Sequence, residues 1–179
     1  MEILWGSSRE PELNSALGEW CRIRIGLPRP FVAFTSLGVF QDGELLGAAV
    51  FHNYEPESGV IEVSGASSSA RWLPRRVLFE LFSYVFNQLG CQLAVFRVSE
   101  KNTRLHRIMR AYGFDEFRIP RLAGRHEDQI LFTLTDDAWR SNGFHREHRK
   151  ELGVSPNLAL PDIGNGSLVN PVNNSEVLP

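Results

Sequence analysis

The sequence predicts an α+β domain built on a mixed, mostly antiparallel sheet with helices on both faces. Three observations support this. Short apolar and β-rich segments alternate with helical segments in the order β-α-β-β-β-α-β-α-β-β. Asp42-Gly43 between two alternating runs is a strong hairpin signal. The stretch "LPRRVLFELFSYVFNQLG" carries the 3.6-residue apolar period of a packed helix.

The elements follow from local patterns along the chain. "EILW" predicts an edge strand, and Pro11 fits the first position of a helix. "FTSLGVFQDGELLGAAVFHNYEP" predicts a hairpin, and "GVIEVSGASSS" predicts a fourth strand running into a small-residue loop. "CQLAVFRVS" is typical of a buried central strand. Asn102 and Gly113 suit the two caps of a helix, after which "FDEFRI" and "QILFTLT" predict a closing antiparallel pair.

Length and composition favour one soluble domain. The chain has 179 residues, of which 42% are hydrophobic and 22% charged, with a net charge of -2. That balance exerts no overall attraction on nucleic acid or membranes. Two cysteines without metal-ligand spacing, and no basic-then-apolar start, predict buried thiols in a cytoplasmic protein. We expect a domain over 1-152 and a disordered or loosely docked tail over 153-179, which has four prolines.

Three stretches carry a family resemblance over roughly residues 36 to 139: "RWLPRRVLFELFSYVFNQLGC", "VSEKNTRLHRIMRAYGF" and "QILFTLTDDAW". They resemble motifs of the GNAT superfamily of N-acyltransferases, most closely its ribosomal-protein N-acetyltransferase branch. The resemblance implies that acetyl-CoA lies in a V-shaped opening, a splay between the fourth strand, "GVIEVSG", and the fifth, "CQLAVFRV". It assigns the pantetheine arm to Asn102 and to the backbone of Val63, Ser64 and Gly65.

The pyrophosphate loop departs from the family pattern. The family uses closely spaced glycines there, whereas this chain reads "RWLPRR" and has no glycine. In one interpretation Arg71, Arg75 and Arg76, together with Arg104, replace amide contacts by charge-assisted bonds to phosphate. In the other, the loop no longer binds CoA and the fold serves another purpose.

The proton-transfer residues are also altered. The tyrosine that protonates the departing thiolate in many family members is replaced by Met109, and the serine of the ribosomal branch by Leu105. His106 and Tyr84 are the substitutes that we considered. Glu62, the one charge in "GVIEVSG", is the candidate general base, and His52 in "FHNYEP" is the second candidate. The alternative is that Glu62 points outward and is solvated.

We therefore expect an acetyl-CoA-dependent N-acyltransferase in which an amine acceptor, on a protein or a small molecule, attacks the thioester directly. The alternatives are a GNAT-like binding module without catalysis and a GNAT-like enzyme that modifies nucleic acid, which the basic runs 97-125 and 140-150 permit without requiring. We expect no metal site from the scattered histidines, no membrane association, and a monomer or homodimer.

Overall fold

The computed structural model describes residues 1–145 and contains seven strands and four α-helices. The strands are β1 (Glu2–Gly6), β2 (Thr35–Gln41), β3 (Glu44–Glu55), β4 (Val60–Ser67), β5 (Leu93–Ser99), β6 (Asp115–Gly124) and β7 (Glu127–Thr135). The helices are α1 (Pro11–Ile25), α2 (Arg75–Ser83), α3 (Thr103–Tyr112) and α4 (Asp136–Ser141). This element order confirms the order that the sequence predicts.

All seven strands form one sheet in the order β1-β2-β3-β4-β5-β7-β6. Every neighbouring pair is antiparallel except β4 and β5, which run parallel. The predicted hairpin lies between β2 and β3, where Asp42 and Gly43 adopt φ values of 52° and 82°. Both values belong to the left-handed region that two-residue hairpin turns require.

Helices cover both faces of the sheet. On one face Leu17 and Cys21 of α1 pack against Ala48 and Val50 of β3. On the other face α2, α3 and α4 bury the larger core, which includes Phe51, Ile61, Val63, Val77, Phe82, Ala94, Met109, Phe132 and Trp139. Because strand side chains alternate, Glu62 and Ser64 lie on the α1 face while Ile61 and Val63 enter the core.

Two local features refine the sequence interpretation. The end of α2 continues as a π-helical turn over Tyr84–Gln88, and Gly90 then adopts a φ of 68° that ends the helical segment. Cys21 and Cys91 are buried free thiols, as predicted. Burial raises the pKa of Cys21 to about 12 and that of Cys91 to about 11, so both are protonated near neutrality.

The strands β4 and β5 pair only at their beginnings. Their register joins Val60 to Leu93, Ile61 to Ala94 and Glu62 to Val95, and there the ladder between them stops. Both strands nevertheless continue, β4 to Ser67 beside β3 and β5 to Ser99 beside β7. The two inner edges therefore part after Glu62, which is the splay that the resemblance implies.

The predicted tail over 153-179, the proposed boundary after 152 and most of the basic run 140-150 lie outside the described residues. Within residues 1–145 no helix is both long and apolar enough to span a membrane.

Candidate active site

The open edge of β4 is the centre of the candidate site. Beyond Glu62 its backbone has a hydrogen-bonding partner strand on the β3 side and a gap on the β5 side. Of the residues predicted to hold pantetheine, Val63 is buried in the core, Ser64 is half-buried and Gly65 is exposed. Unpaired backbone N–H and C=O groups need a partner. An extended ligand carrying amides can supply one, as an added strand does.

Glu62 stands at the point where the strands separate. Its carboxylate lies 3.2 Å from Nε of Arg97 on β5 and accepts a hydrogen bond of 3.1 Å from Nδ2 of Asn53. The side chain is 16% exposed. These two contacts exclude the alternative in which Glu62 is freely solvated, because the carboxylate is held by its neighbours at the wall of a cleft.

His52 lies directly across the strand pair from Glu62. It is 8% exposed, its ring packs 4.8 Å from that of Phe31, and its Nε2 lies 2.9 Å from Oγ of Ser64. Burial lowers the pKa of His52, although the charge of Glu62 and a hydrogen bond with Asn53 act in the opposite direction. The neutral imidazole can accept a proton, so His52 and Ser64 form a hydrogen-bonded pair beside the splay.

An open cleft of about 400 Å³ is lined by Glu62 and its two partners, Asn53 and Arg97. The other side chains of the lining come from β3, β4, β5 and β7. The lining residues are Asn53, Tyr54, Glu55, Val60, Glu62, Val95, Arg97 and Leu131. The volume fits a small-molecule ligand.

The loop between β4 and α2 is shaped by a tryptophan. The indole of Trp72 covers Gly47 so closely that a Cβ has no room there, and a Cβ on Gly65 would lie 3.4 Å from the same ring. Ser69 fixes the loop further, since its backbone N–H donates to the Leu46 carbonyl at 3.2 Å and its Oγ accepts from the backbone of Arg71. These contacts replace the glycine-rich turn with a loop ordered by packing.

The predicted phosphate ligands surround the start of α2. Arg71, Arg75 and Arg76 are exposed, and Arg75 places its guanidinium 4.6 Å from the ring centre of Phe144. Pro74 caps the helix without a side-chain hydrogen bond, and the first turn has no acidic residue. Positive side chains at the positive end of a helix dipole favour a nearby anion.

A second helix, α3, begins shortly after β5. Asn102 accepts a hydrogen bond of 3.2 Å from the backbone of Leu105 and so caps α3, as predicted. Arg104 is exposed in the first turn, which also lacks an acidic residue. Arg110, by contrast, is bound by Glu116 through two contacts and belongs to the surface.

The positions of the family's usual acids are filled by core residues. Met109 is 7% exposed, Leu105 packs on the same core, and Tyr112 stacks on Phe82. The other two candidates, His106 and Tyr84, lie on the core face of the sheet, opposite to Glu62. His106 donates from Nε2 to the Ser99 carbonyl at 3.0 Å, and Tyr84 packs against Trp5 at a tilt and against Phe51 edge-on.

Two residues of the cleft escaped the sequence analysis. Arg97 and Asn53 contact Glu62, but the first belongs to another strand and the second to a bulged strand end. Alternation along "CQLAVFRV" places Val95 and Arg97 on one face. Whether that face meets Glu62 depends on the parallel register of β4 and β5. The spacing of residues within one strand does not reveal that register.

Comparison with known proteins finds similarity only at the level of solved structures. No family model matches the chain, and no curated protein matches it. Solved structures do match: spermidine/spermine N-acetyltransferase SpeG from Vibrio cholerae has a TM-score of 0.58 at 12% identity over 79% of this chain and 96% of SpeG. YncA from Salmonella typhimurium, solved with its cofactor acetyl-CoA, has a TM-score of 0.57 at 16% identity over 75% and 92%.

This chain has the GNAT fold. The likeness confirms the predicted fold class, including the mostly antiparallel sheet and its one parallel pair. At identities of 12% and 16% the comparison shows the fold alone. The activity has to be inferred from the arrangement of the residues.

Proposed function

We propose that this protein is an acetyl-CoA-dependent N-acyltransferase acting on an amine. The observation that carries the proposal is the separation of β4 and β5 immediately after Glu62, beside a cleft that this carboxylate lines. The free edge of β4 at Val63, Ser64 and Gly65 offers hydrogen bonds to the pantetheine amides. Solved structures of the same fold include one with acetyl-CoA and one of an amine acetyltransferase.

In this proposal the charged end of acetyl-CoA lies at the starts of α2 and α3. Arg71, Arg76 and Arg104 are exposed there, and helix N-termini favour phosphate groups. Arg75 contributes charge from its place beside Phe144. Asn102 shapes the start of α3 by capping it.

The reaction moves one proton from nitrogen to sulfur. Glu62 takes a proton from the acceptor amine, whose nitrogen attacks the thioester carbonyl. A C–N bond forms, the C–S bond breaks, and the CoA thiolate leaves. Met109 and Leu105 have no proton to donate, so neither protonates the thiolate. Water instead passes the proton from Glu62 to the thiolate, which restores the carboxylate and completes the transfer from nitrogen to sulfur. His52 lies across from Glu62 on β3, is hydrogen-bonded to Ser64 and is the second candidate proton acceptor.

Calorimetric titration with acetyl-CoA tests the donor site. We expect micromolar binding that weakens by about tenfold or more in the Arg71→Ala/Arg76→Ala double variant, because charge-assisted bonds to phosphate are lost. Arg24→Ala is the matched control, since Arg24 lies on α1 over Trp20. An unchanged affinity in the double variant removes these arginines from the site, and no binding to the wild-type protein refutes the donor assignment.

Measurements of turnover test whether Glu62 is the general base. Glu62→Gln should lower kcat by about 10²–10⁴, the range of general-base catalysis, while the dissociation constant of acetyl-CoA stays unchanged. Full activity of this variant transfers the role to His52 with Ser64.

A binding module without catalysis is the second candidate, and the replacement of both usual acids by the core residues Met109 and Leu105 favours it. Acetyl-CoA binding of normal strength without CoA release, over amines of several classes, would decide for this function.

A further inference from the structure

The cleft beside Glu62 holds two opposite charges in contact. Oε1 of Glu62 and Nε of Arg97 are 3.2 Å apart, and both residues line the cleft. Glu62 is nearly covered, whereas the Arg97 side chain is 51% exposed. A ligand that carries its own opposite charges close together can therefore pair with both groups at once.

Arg97 has donors to spare for such a ligand. Within residues 1–145 its polar contact is the single ion pair through Nε. Among residues 1–145 no hydrogen bond from the two terminal nitrogens of the guanidinium accompanies this ion pair. A planar fork of this kind matches a carboxylate in two-point geometry.

The rest of the lining is mixed. Val60, Val95 and Leu131 contribute apolar side chains, Tyr54 contributes an aromatic one, and Asn53 and Glu55 contribute polar ones. A cleft of about 400 Å³ with such a lining suits a compact ligand that has one hydrophobic group beside its charged groups. The remaining carboxylate of the lining, Glu55, accepts a hydrogen bond from Ser58 and lies at the end of β3.

We propose that the acceptor is a free α-amino acid with an apolar side chain, bound with its ammonium group at Glu62 and its carboxylate at Arg97. This inference rests on the proposed N-acyltransferase function and names its acceptor class. One carbon atom separates the two charged groups of an α-amino acid, which matches two protein charges that touch each other. The apolar side chain lies on Val60, Val95 and Leu131.

The same geometry disfavours the other amine classes. A polyamine has no anion to offer Arg97. The N-terminus of a peptide presents a neutral carbonyl where the amino acid has a carboxylate, and its carboxylate lies at least one residue further away. Each of these acceptors leaves the charge of Arg97 without a ligand partner.

An acceptor panel tests the proposal on the full chain. With saturating acetyl-CoA, CoA release and product mass are measured for L-leucine, L-leucinamide, isopentylamine, a leucine-initiated dipeptide and spermidine. We expect kcat/KM for leucine to exceed that for leucinamide by about tenfold or more, the effect of one charge-assisted contact. Arg97→Gln should bring the ratio close to one through the KM for leucine, and Arg97→Lys should restore part of it. Arg24→Gln is the matched control.

A ratio near one in the wild-type protein, or spermidine or the dipeptide as the best acceptor, overturns the amino-acid assignment while leaving acyl transfer intact. Binding of L-leucine, measured by calorimetry in the presence of CoA and in its absence, separates the two proposals. Binding of leucine that leucinamide does not reproduce and that Arg97→Gln abolishes supports the assignment even in a protein without turnover. Absence of such binding, together with absence of turnover, refutes it.

Discussion

At the scale of single residues, the charge balance of the site depends on His52 and its surroundings. Phe31 packs on the ring from the loop after α1, and Ser64 binds Nε2 from β4. Glu62 and Asn53 favour the imidazolium, and Arg97 and burial disfavour it. Burial has the largest effect, so the pKa of His52 lies below its ordinary value of 6.5 in the folded protein.

This shift predicts a pH-dependent stability. Between the lowered pKa and about 6.5 the unfolded chain binds more protons than the folded one, so the free energy of unfolding falls as the pH falls through that window. Above about pH 6.5 the contribution is fully present. Urea unfolding at pH 7.5 and pH 5.5 should show a smaller loss in His52→Gln than in the wild-type protein, whereas the exposed His126→Gln should retain the wild-type loss. Equal losses in all three proteins would contradict the burial of His52.

Single residues also show how far sequence reasoning reaches. Glu62 is recognisable as a candidate because it is the one charge in an apolar strand, and its role as a base stays a prediction. Asn102 is recognisable as a helix cap because it precedes a helical period, and the structure confirms the cap. The partners of Glu62 are not recognisable in this way. Arg97 is one of many arginines, and its relevance depends on its contact with Glu62, which lies 35 positions earlier in the sequence on another strand.

At the scale of elements, the start of α3 has a structural role and a proposed binding role, and the two can be tested separately. Its cap, Asn102, stabilises the helix start through the Leu105 N–H, and the same helix start is the proposed neighbour of the diphosphate. Helix caps contribute about 1 kcal/mol. A substitution that keeps the cap but adds negative charge therefore tests the binding role alone.

Asn102→Ala should lower the free energy of unfolding by about 1 kcal/mol, because the cap is lost. Asn102→Asp should keep the stability, because aspartate caps equally well, and should weaken acetyl-CoA binding by repelling the phosphates. Chemical unfolding and calorimetry measure the two effects. Thr135→Ala, which removes the cap of α4, is the control that should lose stability at normal affinity. Unchanged affinity in Asn102→Asp would place the diphosphate away from α3.

The loop before α2 shows what local sequence does not contain. Its glycine-free sequence suggested either arginine-based phosphate binding or a lost site. The structure adds that Trp72 lies over Gly47 of β3 and Gly65 of β4. The contact with Gly47 joins segments that are distant in sequence, so no local pattern predicts it. The π-helical turn at Tyr84–Gln88 also depends on residues distant in sequence, since Tyr84 packs against rings from β1 and β3. Periodicity predicts such a helix but not its widened turn.

At the scale of the whole molecule, the strands, their hairpin and the helix order follow from periodicity and turn residues. The strand neighbours β4 and β5 and the gap between them come from the family resemblance, because no local pattern encodes a ladder that stops after three pairs. In our proposal the gap between β4 and β5 determines where acetyl-CoA lies, and the side chains around Glu62 and Arg97 select the acceptor.

Backbone hydrogen exchange of β4 tests the central claim most directly. In the free protein the amides of Val63 to Ser67 that face the gap should exchange quickly, because their partner strand has turned away. Saturating acetyl-CoA should protect them, while amides of the continuous β2–β3 ladder stay unchanged. Slow exchange at the gap before any ligand is added, or no protection after acetyl-CoA is added, would contradict a thioester bound between β4 and β5.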